Sequence, residues 1–234
     1  PLPRDDLGVA RARLDEYRQA GIDTVCLYPI GFDDEDRRAL SEFAAACQVV
    51  TYEFENVPET TVRILAETVA VRPGQRALSI AQDRLTEKTF LRETGIPVAP
   101  FQRVDSAADA ATALAAINAP AILKTRRLGY DGKGQAKILS PSDADAAWAQ
   151  VGQKPSVLER FVDFQAEVSV IAARGADGSF AAYDAVENVH RNHILHTSTV
   201  PASLDQDLQQ EAIFVTRRIA DVLNYVGVLG VEFF

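Results

Sequence analysis

P-A-I-L-K-T-R-R-L-G-Y-D-G-K-G-Q, residues 120–135, opens as a short apolar strand (Ala121, Ile122, Leu123) with Lys124 at its end. It turns through a basic, glycine-punctuated loop and leaves along a second apolar run, residues 136–139. Asp131-Gly132 between two strand-like segments is a strong hairpin signal. Glycines at 129, 132 and 134 let backbone N–H groups approach an anion closely, and the ammonium groups of Lys124 and Lys133 neutralise phosphate charge. The same residues also fit an exposed hairpin with solvated charges. Neither G-x-x-x-x-G-K-[ST] nor G-x-G-x-x-G occurs, so this is no Walker A loop and no dinucleotide fingerprint.

Working outward toward the N-terminus, the pattern predicts a helix over Leu7–Ala20, a strand over Thr24–Tyr28 and a helix over Phe32–Cys47. A strand over Gln48–Val57 ends with Glu53 and Glu55, and a helix over Glu59–Glu67 follows Pro58. Strand–helix–strand order with short loops implies a parallel sheet, whose ligands gather at the carboxyl ends of the strands, where Glu53 and Glu55 lie. Simple alternation, with one glutamate in solvent, fits as well. A short strand at 69–72 precedes one helix over 77–94, stopped by Gly95 and Pro97. A strand over Val98–Val104 and an alanine-rich helix over Ala107–Ile117, capped by Ser106, lead into the central stretch.

Downstream, a helix over Ser142–Val151 and a strand over Ser156–Glu159 run into Arg160-Phe161-Val162. Strands at Glu167–Arg174 and Ser179–Val186 flank Gly175–Gly178, a second Asp-Gly hairpin. All three histidines, at 190, 193 and 196, fall in the polar segment 187–196. Zinc would need a completing cysteine or carboxylate pattern, and the segment reads as strand and loop without one. A helix over Leu204–Leu223 precedes a buried strand over Tyr225–Phe234. Glu232 is its single acid, costly to bury unless a metal or a cation answers it.

Composition bounds the rest. A chain of 234 residues with 47% hydrophobic and 24% charged residues has room for one large domain or two small ones. A net charge of −9 argues against non-specific nucleic-acid binding, though Arg126-Arg127 could line a local basic pocket. No apolar run approaches the roughly 18 residues of a membrane span. Cys26 and Cys47 show no metal-ligand spacing and read as buried thiols. The expectation is a soluble cytoplasmic protein, without nucleic-acid or membrane partners.

Taken together, T-Y-E-F-E-N-V-P at 51–58, I-A-Q-D-R-L-T-E-K at 80–88 and I-L-K-T-R-R-x-G-Y-D-G-K-G at 122–134 form an ordered series. It continues with E-x-x-V at 159–162, E-V-S at 167–169, E-N-x-H-R-N-x-I-L at 187–195 and G-V-x-G-V-E-F-F at 227–234. Over residues 32–234 the chain resembles the ATP-grasp superfamily and, within it, the N5-carboxyaminoimidazole ribonucleotide synthetases of purine biosynthesis. The resemblance implies an α/β (α+β ATP-grasp) fold: an open parallel α/β N-terminal domain, truncated and left over 32–95, a small lid subdomain over 96–163, and an incomplete mixed-sheet large subdomain over 164–234. Residues 1–31 stay outside it. Their L-D-E-Y-R-Q-A-G-I-D-T-V string looks like a luciferase-like flavin monooxygenase.

The family joins bicarbonate to 5-aminoimidazole ribonucleotide at the expense of ATP, with carboxyphosphate as the implied intermediate and Mg²⁺ required. The resemblance places Lys124 and Lys133 on the phosphates under a lid of Gly129, Gly132 and Gly134. It makes Lys133, Tyr130 and Asp131 catalytic. Adenine is assigned to the hinge Glu159, Arg160, Phe161 and Val162, and the ribose hydroxyls to Glu167. His190 and Arg76 are assigned to the nucleotide, Glu53 and Tyr130 to the substrate ribonucleotide, and Glu232 to Mg²⁺. Family members commonly form homodimers. The glycine-rich first turn and the N-E pair after the last strand are not in the sequence, so the expectation is a fragment with little or no turnover of its own. The competing readings are another ATP-grasp ligase (glycinamide ribonucleotide transformylase-like or biotin carboxylase-like), a non-catalytic ATP-binding module, and a plain α/β domain with hairpins.

Overall fold

The computed structural model describes residues 41–234, apart from 43, 53–54, 130–132 and 193. The helix at 7–20, the strand at 24–28 and most of the helix at 32–47 therefore lie outside the described residues, as do Glu53, Tyr130, Asp131, Gly132 and His193. The chain divides into two compact units, Pro1–Arg72 and Pro73–Phe234.

In the first unit, β1 (Val49–Thr51) and β2 (Ala70–Arg72) pair in parallel, with α1 (Glu59–Leu65) between them in sequence. The expected parallel arrangement is present, but β1 covers only three residues of the longer strand expected over 48–57. Val62, Leu65 and Val71 are buried.

The second unit begins with α2 (Gln75–Ala81) and α3 (Arg84–Glu93), where the apolar periodicity predicts one helix over 77–94. The break has a specific cause. Asp83 leaves the helical conformation, and its side chain accepts from the backbone N–H groups of Leu85 and Thr86, so it starts a new helix. An aspartate inside a helical pattern competes for the backbone in this way.

Next comes a four-stranded antiparallel sheet in the order β3 (Phe101–Val104), β6 (Ser156–Arg160), β4 (Ala121–Thr125), β5 (Gln135–Ile138). Ala121, Leu123 and Thr125 of β4 are buried and alternate with half-buried Ile122 and Lys124. The inward set packs with α4 (Ala107–Ile117) and α5 (Ala144–Gln150), closing a core of Val104, Leu114, Leu123, Ile138, Trp148 and Leu158. Ser106 caps α4 by accepting from the Asp109 N–H, as its position predicts. The expected helix over 142–151 is instead a 3₁₀ turn at Pro141–Asp143 leading into α5.

The remaining sheet runs β10 (Ile194–Thr199), β9 (Val186–Arg191), β7 (Glu167–Arg174), β11 (Gly227–Phe233), with β8 (Phe180–Ala182) also on β7. Val168, Val170 and Ala172 of β7 are buried, and Val168 and Val170 join Ala212 of α6 (Gln206–Val222) in one apolar cluster. The strand expected over 179–186 shortens to three residues. The buried strand expected over 225–234 is not buried: β11 alternates half-buried and exposed positions, because among the described residues it pairs with β7 on one side only and one of its faces is uncovered. Val228 and Glu232 are exposed on that face. No helix among the described residues is long and apolar enough to cross a membrane.

Candidate functional site

The loop that leaves β4 is held at its base by the short turn between α2 and α3. Arg126 makes a forked contact with Asp83, its Nε 3.0 Å from both carboxylate oxygens and its Nη2 2.7 Å from Oδ2. Beside it Arg127 donates to Gln82 Oε1 at 2.6 Å, and Arg84 Nη2 donates to the Gly129 carbonyl at 3.2 Å. Backbone bonds reinforce the grip: the Arg84 N–H donates to the Arg126 carbonyl, and the Thr125 N–H to the Gly134 carbonyl. Burial pushes the Asp83 carboxyl up, but the Arg126 guanidinium and the two N–H groups of α3 outweigh it, leaving a net value below the ordinary carboxylate range.

Gly134 sits at φ +70°, and a β-carbon there would come within 2.6 Å of Thr125 Oγ1. The position requires glycine for both backbone conformation and space. Lys133 lies in this loop and is exposed, while a β-carbon at Gly129 would come within 3.3 Å of the Lys133 carbonyl and of Thr125 Oγ1.

One residue pair along the sheet stands Lys124 beside Glu159. Register places Ile122 opposite Glu159, so Lys124, two residues on, shares its face. Lys124 Nζ is 3.1 Å from Glu159 Oε2, and Lys88 Nζ, reaching in from α3, is 3.3 Å from the same oxygen. Glu159 is 7% exposed, and its other oxygen, Oε1, is buried with no hydrogen-bond partner among the described residues. Past Glu159, the Arg160 and Phe161 N–H groups donate to the carbonyls of Pro100 and Pro120, and the Lys137 ammonium lies 4.2 Å from the Phe161 ring centroid. Val162 is exposed. The expected hinge is thus a pinned segment with an exposed apolar tip.

A second group forms on the exposed face of the β9–β7–β11 sheet. Glu167 lies opposite Asn188, and Glu232 opposite Ser169, which puts Glu167, Ser169, Asn188, His190 and Glu232 on one face. His190 Nδ1 is 3.0 Å from Glu167 Oε2. Underneath, Ser198 donates to Asn188 Oδ1 and Asn188 Nδ2 donates to Ser169 Oγ, each at 2.9 Å. The Glu167 carboxyl is raised above its ordinary value, chiefly by burial and further by the negative charge of Glu232, while His190 opposes the shift. Two carboxylates repelling each other on an open face are an oxygen donor set suited to a hard divalent cation, which relieves that repulsion. Among the described residues no three or more His, Cys, Asp or Glu side chains converge as a metal cluster, so this pair would need further oxygens from water or substrate.

Arg76 lies in the first turn of α2. Its Nη1 donates to the Val222 carbonyl at the end of α6 at 2.8 Å, and its guanidinium lies 5.9 Å from the Phe90 ring centroid. Those contacts give it the role of a helix C-terminal cap. Gln82, Asp83, Arg84 and Lys88 join the loop and Glu159 without having been singled out from the motif that contains them, and Arg126, read as part of a local basic pocket, is instead paired with Asp83. The available signal was the i, i+4 spacing of Arg84 and Lys88, which puts both cations on one side of a helix that starts at Asp83.

A family model described as the ATP-grasp domain matches residues 89–234, more than half the chain. The chain belongs to the ATP-grasp family. A second model, the ribonucleotide synthetase preATP-grasp domain, matches residues 6–82 and so takes in most of residues 1–31, which the motifs alone leave outside the resemblance. The N5-carboxyaminoimidazole ribonucleotide synthase of Brucella melitensis is 50% identical over 202 residues, 86% of this chain and 56% of that protein. Among solved structures, an N5-carboxyaminoimidazole ribonucleotide synthetase in complex with ADP matches with a TM-score of 0.81 at 38% identity, over 87% of this chain and 54% of its own. The synthetase of Thermus thermophilus matches with a TM-score of 0.79 at 42% identity, over 86% and 54%. The chain spans about half the length of the curated relatives it matches. Its parallel pair and two antiparallel sheets match the mixed α/β ATP-grasp fold over about half of those structures.

Proposed function

We propose that this chain is the nucleotide-binding part of an ATP-dependent carbon–nitrogen ligase that carboxylates 5-aminoimidazole ribonucleotide with bicarbonate, giving N5-carboxyaminoimidazole ribonucleotide. The observation that carries the reading is the 50% identity to a synthase of that name over 202 residues, 86% of this chain. In this reading the four-stranded layer within 96–163 is the lid subdomain, and 164–234 contributes the opposing wall.

The chemistry asked of these residues is positioning and charge neutralisation. A bicarbonate oxygen attacks the γ-phosphorus of ATP and ADP leaves, forming carboxyphosphate. The amine of the ribonucleotide then attacks the carboxyl carbon and phosphate leaves. Lys124 and Lys133 answer the phosphate charge, the hinge segment 159–162 receives adenine, and Glu167 accepts from the ribose hydroxyls, with His190 orienting it. Glu232 would hold Mg²⁺ with further oxygens from water or substrate, and the ion would supply charge stabilisation on the phosphates when bound. From the motif match, Tyr130 and Asp131 are retained with Lys133 as catalytic residues, and Glu53 and Tyr130 as contacts to the substrate ribonucleotide.

The test is a full-length protein carrying this stretch, assayed for phosphate release with ATP, bicarbonate and a panel of acceptors. Release that depends on aminoimidazole ribonucleotide and falls at least about 100-fold in Lys124→Ala is expected, in line with loss of a phosphate-neutralising group. Release with glycinamide ribonucleotide or biotin, and none with aminoimidazole ribonucleotide, would assign the chain to another ligase of the family.

A further inference from the structure

Glu159 meets two ammonium groups through a single oxygen. Lys124 and Lys88 stand 3.1 and 3.3 Å from Oε2, while buried Oε1 has no partner among the described residues. For a carboxylate 7% exposed, one counter-charge is required and a second is in excess. The three side chains together carry one surplus positive charge beside the glycine loop. The two lysines also come from different places. Lys124 is the last residue but one of β4, near the mouth of the loop, whereas Lys88 sits in the second turn of α3, a helix fixed at its start by the Asp83 cap and the Asp83–Arg126 fork.

From this arrangement we infer that Lys88 is a positioning residue: it is the standing counter-ion of Glu159, and it thereby releases Lys124 to turn onto an incoming polyphosphate. The inference rests on the nucleotide reading above and adds to it a residue to which neither that reading nor the motif match gives a role. Without Lys88, moving Lys124 to an anion strips Glu159 of all compensation, and the cost is charged against ligand binding. With Lys88 in place, Glu159 keeps one ammonium, and Oε1 offers that ammonium a second acceptor as Lys124 departs. The surplus charge then has a use: it moves to the ligand, and the buried carboxylate never goes bare.

Two measurements on the 234-residue chain test this. The first needs no nucleotide. Unfolding midpoints followed by Trp148 fluorescence are compared for Lys88→Gln, Lys124→Gln, the double variant, and the double variant carrying Glu159→Gln. Each single change is expected to lower the midpoint by about 2 °C and the double by more than about 8 °C, since only the double leaves a buried carboxylate unanswered. Adding Glu159→Gln is expected to recover most of that loss even where the double variant barely folds. Additive midpoints, or a triple variant as unstable as the double, overturn the inference.

The second measurement is calorimetric binding of MgATP. Lys88→Gln is expected to weaken binding about 10-fold, Lys88→Arg to stay within about threefold of the parent, and Lys88→Gln to have less than about a threefold effect in a Glu159→Gln background. Unchanged affinity in Lys88→Gln, or an equal loss in both backgrounds, refutes the hand-over. A parent chain that binds no MgATP while its midpoints are non-additive refutes the nucleotide reading and the hand-over with it, and leaves the shared counter-charge standing.

Discussion

Replacing Asp83 by asparagine and by alanine separates two jobs done by one carboxylate. Asparagine caps a helix about as well as aspartate, so Asp83→Asn keeps the N-terminus of α3 and removes the charged fork to Arg126. Breaking a fully buried ion pair costs about 3–5 kcal/mol. Here the Asp83 and Arg126 side chains retain 12% and 23% of their exposure, so water recovers part of that loss. About 2 kcal/mol is expected for Asp83→Asn, and about 3 for Asp83→Ala, which also forfeits a cap worth about 1 kcal/mol. In a unit of this size those losses correspond to midpoint shifts of roughly 6 and 9 °C.

The assay is urea unfolding followed by Trp148, the only tryptophan, which is buried in the α4–α5 core over the sheet whose strand β4 leads into Arg126. The pH dependence has a definite sign. The Asp83 carboxyl is held below its ordinary value in the folded chain, so its stabilisation is fully present above the ordinary carboxylate range and is lost as pH falls through the lowered value. The gap between parent and Asp83→Asn should stay constant from pH 7 to about 5 and close below about pH 4. A gap under about 0.5 kcal/mol at pH 7, or one unchanged at pH 3, would refute this account of the loop's anchorage.

Three further outcomes are expected. Gly134→Ala forces a side chain to φ +70° and against Thr125 Oγ1, costing about 2 kcal/mol or more by urea unfolding, and adding Thr125→Ser should not restore the parent, because the hydroxyl it meets remains. Glu232→Gln removes one of the charges that raise Glu167, so the Glu167 carboxyl should titrate lower in a carbon-detected NMR experiment; an unmoved titration would mean burial alone sets it. Asn188→Ala leaves Ser169 and Ser198 without their shared buried partner and should cost about 2 kcal/mol, whereas Asn188→Ala combined with Ser198→Ala should cost less than the sum of the two single changes.

Local chemistry made some elements readable and neighbours hid others. Ser106 at the head of α4 and the strand pair around 120–138 follow from capping and patterning, which act within a few residues. The interruption at Asp83 was obscured because the apolar periodicity continues through it, and what breaks the helix is a side chain serving both its own backbone and an arginine 43 residues away. The exposure of β11 could not be read from G-V-L-G-V-E-F, since an apolar string looks the same whether one face is covered or two. Lys124 and Glu159 were legible as motif residues. Their direct contact, and the arrival of Lys88 at the same oxygen, depend on strand register and on where α3 lies, and neither is encoded at any single position.

The uncovered side of β11 carries a practical consequence. Among the described residues the strand pairs with β7 alone, so its outer row of peptide groups is available to any extended segment, and exposed Val228 and Phe234 add adhesive area beside it. Glu232 is the one charge on that ribbon that discourages such annealing. Stock solutions of this polypeptide should therefore self-associate more readily in Glu232→Gln, and a short synthetic β-strand peptide offered in excess should act as a soluble stopper.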